Sequence, residues 1–216
     1  MLTRIPSAAA LRQRRDAFAR EAEELVERLV PRGSFDAVED LAEPYPLKVF
    51  PDALGLSPEG RGTLLSCGNI ASNAFAPHHA LFAEAMANAD PVRTWIMAQC
   101  GRKALSPDGL GAQVDAGELS EQEALINVRS FLSAGVYITV SGLSAALSCF
   151  ACHPRQWRML REKPALAPQA FEEAIRFGSP VQTFFHTTTR EAEVSGIRLG
   201  DNDKVLCSWQ RPTASA

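Results

Sequence analysis

The strongest constraint on how this chain folds is an uncharged stretch of 23 residues from Ser130 to Cys152. Just before it, Ser120 and Glu123 have the spacing of a capping box, in which a serine hydroxyl and a carboxylate satisfy the first amide groups of a helix. The sequence therefore predicts one long helix that begins after Ser120 and includes the uncharged stretch. A helix without charge on any face must be covered by other protein elements or by lipid.

Composition favours protein over lipid as the cover of this helix. The stretch contains five serines, two glycines and a threonine, so it is only weakly apolar for a membrane span. The N-terminal residues lack an apolar signal core, and the five cysteines are an odd number, which is typical of reduced thiols. We expect a buried central helix, no membrane partner and a cytoplasmic location. No basic stripe appears, and we expect no nucleic-acid partner.

The remaining residues predict a fold that is mainly α with a small β portion. Prolines should divide residues 34–56 into short pieces, and residues after Pro180 are β-branched and aromatic with turn signals, which indicates a hairpin or meander. Ser57 is predicted to cap the second of the upstream helices, with Pro58 at its first position. Beyond the long helix, helices are predicted over residues 11–29, 57–75, 79–102 and 167–177, with a short one after His153.

The pentapeptide Cys149-Phe-Ala-Cys-His153 matches the attachment signature of c-type heme. A c-type electron carrier would hold heme covalently on Cys149 and Cys152. Attachment of that kind takes place outside the cytoplasm, and no export signal is seen. The simpler interpretation is two small apolar residues on one helix, because short motifs give frequent false matches.

Glu173 and Arg176 stand three residues apart on a predicted helix, where they can form an ion pair. Taken alone, such a pair is usually a solvated surface feature. Its surroundings are more specific. The helix has an apolar face, a Ser-Pro break follows it, and a β segment from His186 to Gly196 reads His-x-Thr-x-x-Glu-x-Glu-x-x-Gly.

Together these segments resemble the cytochrome P-450 heme-thiolate monooxygenases of the soluble bacterial type. "FEEAIRFGSPVQTFF" resembles the family's Glu-x-x-Arg helix and the strand after it. "FLSAGVYITVSGLSAALSCFACHPRQW" resembles its long central helix and His-Pro turn, which makes the c-type signature a chance match. "DLAEPYPLKVFPDALGL" resembles the segment before the substrate-access helices. The likeness runs from Leu2 to Leu206 and is greatest to members that oxidise small aromatic acids.

The resemblance implies a b-type heme, a small-molecule substrate and a ferredoxin-type electron donor in intact relatives. Glu173 and Arg176 would form a buried structural ion pair. Ala134 and Gly135 would let the long helix approach the heme, and His186 would replace an arginine that binds a heme propionate. A substrate carboxylate and ring would meet three further residues, namely Phe75, Arg129 and Ser130.

The chain departs from the family pattern at the proton relay. The family has an acid and then an alcohol after Ala-Gly-x, whereas this chain has Tyr137 and Ile138. Thr139 follows, but one residue along a helix is a rotation of about 100°. We therefore expect impaired cleavage of dioxygen.

A further departure concerns the cysteine ligand of the iron. The family's loop Phe-x-x-Gly-x-x-x-Cys-x-Gly does not occur in these residues, so the sequence predicts an incomplete P-450-like fold, a truncated and inactive chain, and aggregation through exposed core. Residues 1–206 are interpreted as a partial P-450 domain. Residues 207–216 break the strand pattern and are interpreted as an out-of-frame tail caused by a one-base frameshift. The alternative function is a non-catalytic helical interaction protein that is monodisperse and cooperatively folded without heme.

Overall fold

The computed structural model describes residues 14–54, 56–74, 80–100, 117 and 120–208. These residues form helices for most of their length, with four short strands at the end, as the sequence predicted. The helices are α1 (Arg15–Leu29), α2 (Pro44–Leu54), α3 (Thr63–Ala74), α4 (Ala80–Ala87), α5 (Ala89–Cys100), α6 (Glu121–Cys152), α7 (Pro154–Glu162) and α8 (Ala167–Gly178). Single turns of other helix types lie at Val30–Arg32, Ala37–Ala42 and Pro164–Leu166.

The chain divides into two compact units, residues 1–144 and 145–216. In the first unit, α6 supplies four buried side chains at intervals of four residues: Val128, Leu132, Val136 and Val140. That interval keeps the four on one helix face. Buried apolar side chains from the other helices of this unit complete its core: Leu25, Leu29, Val49, Leu54, Leu64, Ala85, Val92 and Ile96.

The capping box at the start of α6 is confirmed. The Ser120 amide donates to Oε2 of Glu123 over 2.8 Å, and the Glu123 amide donates to the Ser120 hydroxyl over 3.2 Å. The Ser120 amide and hydroxyl both donate to the Glu123 carboxylate, and these two hydrogen bonds hold its pKa below the ordinary value. The helix that begins here has 32 residues, about 48 Å at the rise of an α-helix.

By length and composition alone, residues 125–152 of α6 are apolar enough to cross a membrane, and 22% of the assessed window is buried. Core helices of water-soluble proteins have the same composition. The test therefore gives only weak evidence for a membrane span.

The predicted helix over residues 57–75 is wrong in its first turn. The chain forms turns from residue 58 to residue 62 and becomes helical only at Thr63. Gly60 has φ +72°, a left-handed conformation that interrupts a right-handed helix. The Trp95 indole donates to the Glu59 carbonyl over 2.8 Å and packs where a side chain at Gly60 would lie. A tertiary contact therefore decides this boundary.

Two other predicted boundaries also differ. The segment expected to be broken by prolines is continuous helix in α2, where Pro44 is the first residue and Pro51 lies inside and is buried. Buried packing of this helix compensates for the missing amide hydrogen bond. The single helix predicted over residues 79–102 is two helices, α4 and α5, separated by a turn at Asn88.

The second unit contains the end of α6, α7, α8 and two antiparallel sheets of two strands each. Strand β1 (Thr183–Thr187) pairs with β4 (Lys204–Ser208), and β2 (Ala192–Val194) pairs with β3 (Ile197–Leu199). The predicted hairpin is thus confirmed. Its core is small, since Ala146 and Ala174 are its only buried apolar residues among those described. Gly178 lets α8 approach α6 closely, because a Cβ there would lie 2.8 Å from that of Ala145.

Candidate functional site

The three relay positions lie in the middle of α6 and face different surroundings. Tyr137 lies against α3, where a Cβ placed on Gly68 would be 2.5 Å from the Tyr137 Cβ. Ile138 is 49% exposed, and Thr139 is half-buried. The tyrosine that replaces the family's acid is therefore part of the contact between two helices.

Gly135 provides the test of whether these residues fit a heme. A Cβ at Gly135 would lie 3.0 Å from Cε1 of Phe50, whose ring also packs edge-on against Phe131 with centroids 5.5 Å apart. The close approach that glycine permits is thus used by a phenyl ring from α2. The arrangement at Gly135 does not fit a heme face in this structure, and nothing is described of the Ala134 side chain.

The predicted substrate residues are only partly described. Phe75 lies outside the described residues. Arg129 and Ser130 are exposed on α6. Burial raises the pKa of the Cys67 thiol, and the Arg129 guanidinium opposes that rise, so the arginine is within electrostatic reach of α3. The two residues are consecutive on the helix, so their side chains point about 100° apart, and the carboxylate site stays a prediction.

Two hydroxyl groups of the uncharged helix, those of Ser141 and Ser144, are satisfied within the helix. The Ser141 hydroxyl donates to the Tyr137 carbonyl over 3.0 Å, and the Ser144 hydroxyl donates to the Val140 carbonyl over 2.8 Å. Serines of this kind place no unpaired polar group in the interior. A half-buried helix can therefore contain them without a partner from another element.

The Glu173–Arg176 pair is present on α8, but it is exposed. The guanidinium donates to the carboxylate twice, over 2.7 and 2.6 Å. These hydrogen bonds lower the pKa of Glu173 and raise that of Arg176. The side chains are 61% and 52% exposed, which corrects the expectation of burial. The buried side of α8 is formed instead by Ala174.

The c-type signature forms the end of α6. Nδ1 of His153 lies 2.8 Å from the Cys149 carbonyl oxygen, and because a carbonyl only accepts, the imidazole is the donor. The ring also contacts Phe177 edge-on, with centroids 6.0 Å apart. The histidine therefore caps a helix and packs on α8. Among the described residues, no group of three or more histidine, cysteine or acidic side chains is placed to hold a metal ion.

A cavity of about 230 Å³ lies within the second unit beside this helix end. Phe150, Ala170 and Phe177 give it apolar walls, and its polar groups come from Cys149, His153, Gln156 and Glu173. This cavity does not include any of the predicted substrate residues. His186, the predicted propionate ligand, is on strand β1 and exposed, with its ring 6.0 Å from that of Phe184.

Sequence reasoning missed Arg61, whose side chain connects α2 to the following loop through hydrogen bonds. It is 8% exposed and donates to Asp52 over 2.7 Å and to the carbonyls of Ser57, Leu56 and Lys48. In the sequence Arg61 stands between Gly60 and Gly62, a setting that carries no signal of burial. Burial raises the pKa of Asp52, but hydrogen bonds from Lys48 and Arg61 outweigh it and leave the pKa below its ordinary value.

The chain is similar in sequence to several known proteins. No protein-family model matches it. It is 46% identical over 211 residues to cytochrome P450 CYP199A2 of Rhodopseudomonas palustris, covering 95% of this chain and 51% of that protein. It is 28% identical over 197 residues to a steroid C26-monooxygenase of Mycobacterium tuberculosis, covering 86% of this chain and 52% of the relative.

Solved structures show the same fold. Cytochrome P450 CYP109B1 of Bacillus subtilis matches 96% of this chain and 59% of its own, with a TM-score of 0.78 and 22% identity. P450BioI in complex with an acyl carrier protein matches 95% and 55%, with a TM-score of 0.79 and 20% identity. The chain thus spans about half the length of the curated relatives it matches. On this evidence the chain belongs to the cytochrome P450 family.

Proposed function

We propose that this chain is part of a heme-dependent monooxygenase that oxidises a small organic acid with dioxygen. The observation that carries the proposal is the 46% identity to CYP199A2 over nearly the whole chain. The relatives that are named as monooxygenases support the same reaction class. The comparisons do not favour the alternative of a non-catalytic interaction protein.

An aromatic carboxylate is the proposed substrate class. Arg129 and Ser130 are consecutive and exposed on α6, and we propose that the Arg129 guanidinium binds the carboxylate beside Ser130. A charged hydrogen bond of this kind discriminates strongly between an acid and its neutral ester. Phe75 is proposed as the wall against the ring.

Heme, a ferredoxin-type donor and a cytoplasmic location are proposed from family membership. The bound heme would supply the activation of dioxygen. Ala134 and His186 remain its proposed neighbours, and Gly135 becomes one only where the Phe50 ring is displaced from it. The proposed role of Glu173 and Arg176 is structural, and Tyr137, Ile138 and Thr139 stand where the family has its proton relay.

The 216-residue chain is proposed to be inactive by itself. None of its cysteines is in the Gly-rich setting of the family's iron ligand. The test assays the purified chain with ferredoxin, reductase and NADH on substituted benzoic acids, with CYP199A2 assayed in parallel. No oxygenated product is expected. Product formation would overturn the inactivity while supporting the reaction class.

A chimera tests the reaction class. Residues 14–206 replace the matching segment of CYP199A2, and product is measured as incorporation of labelled dioxygen. We expect heme binding and slow turnover of benzoic acids. Arg129→Gln should raise the KM for the acid roughly tenfold and leave that for its methyl ester unchanged, with Arg155→Gln as control. A folded chimera that binds heme and oxidises no acid would contradict the proposal.

The domain boundary at residue 206 is also a proposal. Strand β4 continues to Ser208, and Cys207 pairs with Phe184, so the support for a frameshift comes from the sequence alone. Resequencing the gene downstream of codon 195 tests it. The proposal requires another frame that encodes an apolar strand and then the Gly-rich loop with its cysteine.

A further inference from the structure

Cys149 and Cys152 lie one helical turn apart at the end of α6, and both are free thiols. Cys152 is exposed and Cys149 is half-buried at the cavity beside α8. Residues three apart on a helix are neighbours on one face. Neither thiol has a part in the proposed oxidation. The Cys-x-x-Cys pair is therefore a sequence motif without a role, because covalent heme attachment does not explain it.

We propose that Cys149 and Cys152 are a modification site that exchanges with small-molecule disulfides such as oxidised glutathione. The Cys152 thiolate attacks one glutathione sulfur and releases one glutathione thiolate. The Cys149 thiolate then attacks the Cys152 sulfur and releases the second. The protein loses two protons and two electrons, one disulfide forms within the helix end, and one molecule of oxidised glutathione becomes two of reduced glutathione.

The position at the helix end makes the reaction geometrically accessible. Cβ atoms three residues apart on a helix are about 5–6 Å apart, whereas a disulfide needs about 3.5–4.5 Å. The last turn must therefore tighten. Cys152 is the final residue of α6, and His153 after it has the non-helical angles φ −126° and ψ 70°. Because α6 continues only on the N-terminal side of Cys152, the tightening of the last turn stays local.

The His153 hydrogen bond opposes this adjustment. Its Nδ1 donates to the carbonyl of Cys149, which fixes the turn that the disulfide must distort. The disulfide is therefore strained and easily reduced, as is typical of exchangeable rather than structural bonds. His153 is a positioning residue in this scheme, since it acts on the cysteine backbone.

The test is oxidation of the full chain across a series of ratios of oxidised to reduced glutathione, followed by alkylation, trypsin and mass spectrometry. Cleavage after Arg129 and Arg155 gives one peptide in which Cys149 and Cys152 are the only cysteines. The expected result is a peptide lighter by two hydrogen atoms, restored by dithiothreitol. A glutathione adduct without internal closure, a disulfide-linked dimer, or an unmodified peptide would each overturn the proposal.

Variants separate the pair from general thiol reactivity. Cys152→Ser should abolish internal closure, and Cys207→Ser, which removes a half-buried thiol on β4, should leave it unchanged. If circular dichroism shows that the Cys152 variant is unfolded, Cys149→Ser replaces it. His153→Ala should shift the glutathione equilibrium roughly two- to tenfold towards the disulfide, the worth of one hydrogen bond. An unchanged equilibrium would overturn the opposing role of His153.

Discussion

Gly68 shows how one hydrogen atom in place of a side chain sets the distance between two helices. A Cβ there would lie 2.5 Å from the Cβ of Tyr137, closer than carbon atoms approach without displacement. Gly68→Ala should therefore lower the free energy of unfolding by about 1–3 kcal/mol, measured by urea denaturation. Tyr137→Ala in the same chain should not rescue it, because the closest atom is the tyrosine Cβ.

The control for this prediction is Gly62→Ala. No atom lies within 4 Å of a Cβ at that position, and its backbone is not left-handed. The control should be as stable as the parent chain or slightly more stable, since alanine restricts the unfolded chain. Equal losses in the two variants would contradict the close helix contact.

Arg61 and Arg176 are a matched pair of arginines in different surroundings. Arg61 is almost fully buried and satisfies three carbonyls and a carboxylate, whereas Arg176 is exposed beside Glu173. Arg61→Gln should destabilise the fold by about 3 kcal/mol, because several buried acceptors lose their donor. Arg176→Gln should leave the denaturation midpoint nearly unchanged. A larger loss for Arg176 would favour the buried ion pair that the sequence predicted.

The carboxylate of Asp52 links this cluster to pH. Its folded pKa is below the ordinary value, so its contribution to stability is fully present above the unfolded pKa of about 3.9 and is lost as pH falls through the lower folded value. Asp52→Asn should remove part of the acid dependence of the unfolding midpoint between roughly pH 5 and 2. An unchanged acid dependence would show that Asp52 is not held by Lys48 and Arg61.

At the scale of the elements, the stability of α6 depends on the cap of its first turn. Ser120→Ala removes the hydroxyl that accepts from the Glu123 amide and should cost about 1 kcal/mol, read from urea denaturation followed by circular dichroism. Ser141→Ala is the control within the same helix, since its hydroxyl donates to a carbonyl that the helix already satisfies. Equal effects of the two changes would contradict a specific cap.

Sequence reasoning succeeded at the elements whose signal is local. The cap at Ser120 and the β-rich residues after Pro180 depend on neighbouring residues, and both appear as predicted. Sequence reasoning failed where a residue distant in the sequence determines the local structure. Trp95 fixes the turn at Gly60, and burial keeps Pro51 inside a helix. The same limit applies to the site, because spacing predicted the Glu173–Arg176 pair but could not give its exposure.

For the molecule as a whole, the two units differ in how much core they contain. The first has buried side chains from all its α-helices, whereas the second has two buried alanines among its described apolar residues. A sequence pattern does not contain this long-range packing. The pattern of a helix predicts an apolar face, but it does not predict which element covers that face. The 46% identity to CYP199A2 extends over 95% of this chain, so it identifies the family where the pattern of a single helix does not identify its packing partner.

The uncovered apolar surface leads to a prediction about the purified chain. Among the residues that the structure describes, sixteen large apolar side chains are exposed, including Ile138 on α6, Trp157 on α7 and Leu206 on β4. Apolar surface of this extent favours self-association. Sedimentation velocity should show oligomers that increase with concentration, and the dye ANS should fluoresce in their presence.

A variant of one exposed side chain tests the cause. Leu206 lies in the middle of the paired residues of β4, and threonine is favourable in strands, so Leu206→Thr should reduce the association while keeping the strand. A monodisperse chain that leaves the dye dark would instead support the non-catalytic helical protein, since that alternative requires a closed fold without heme.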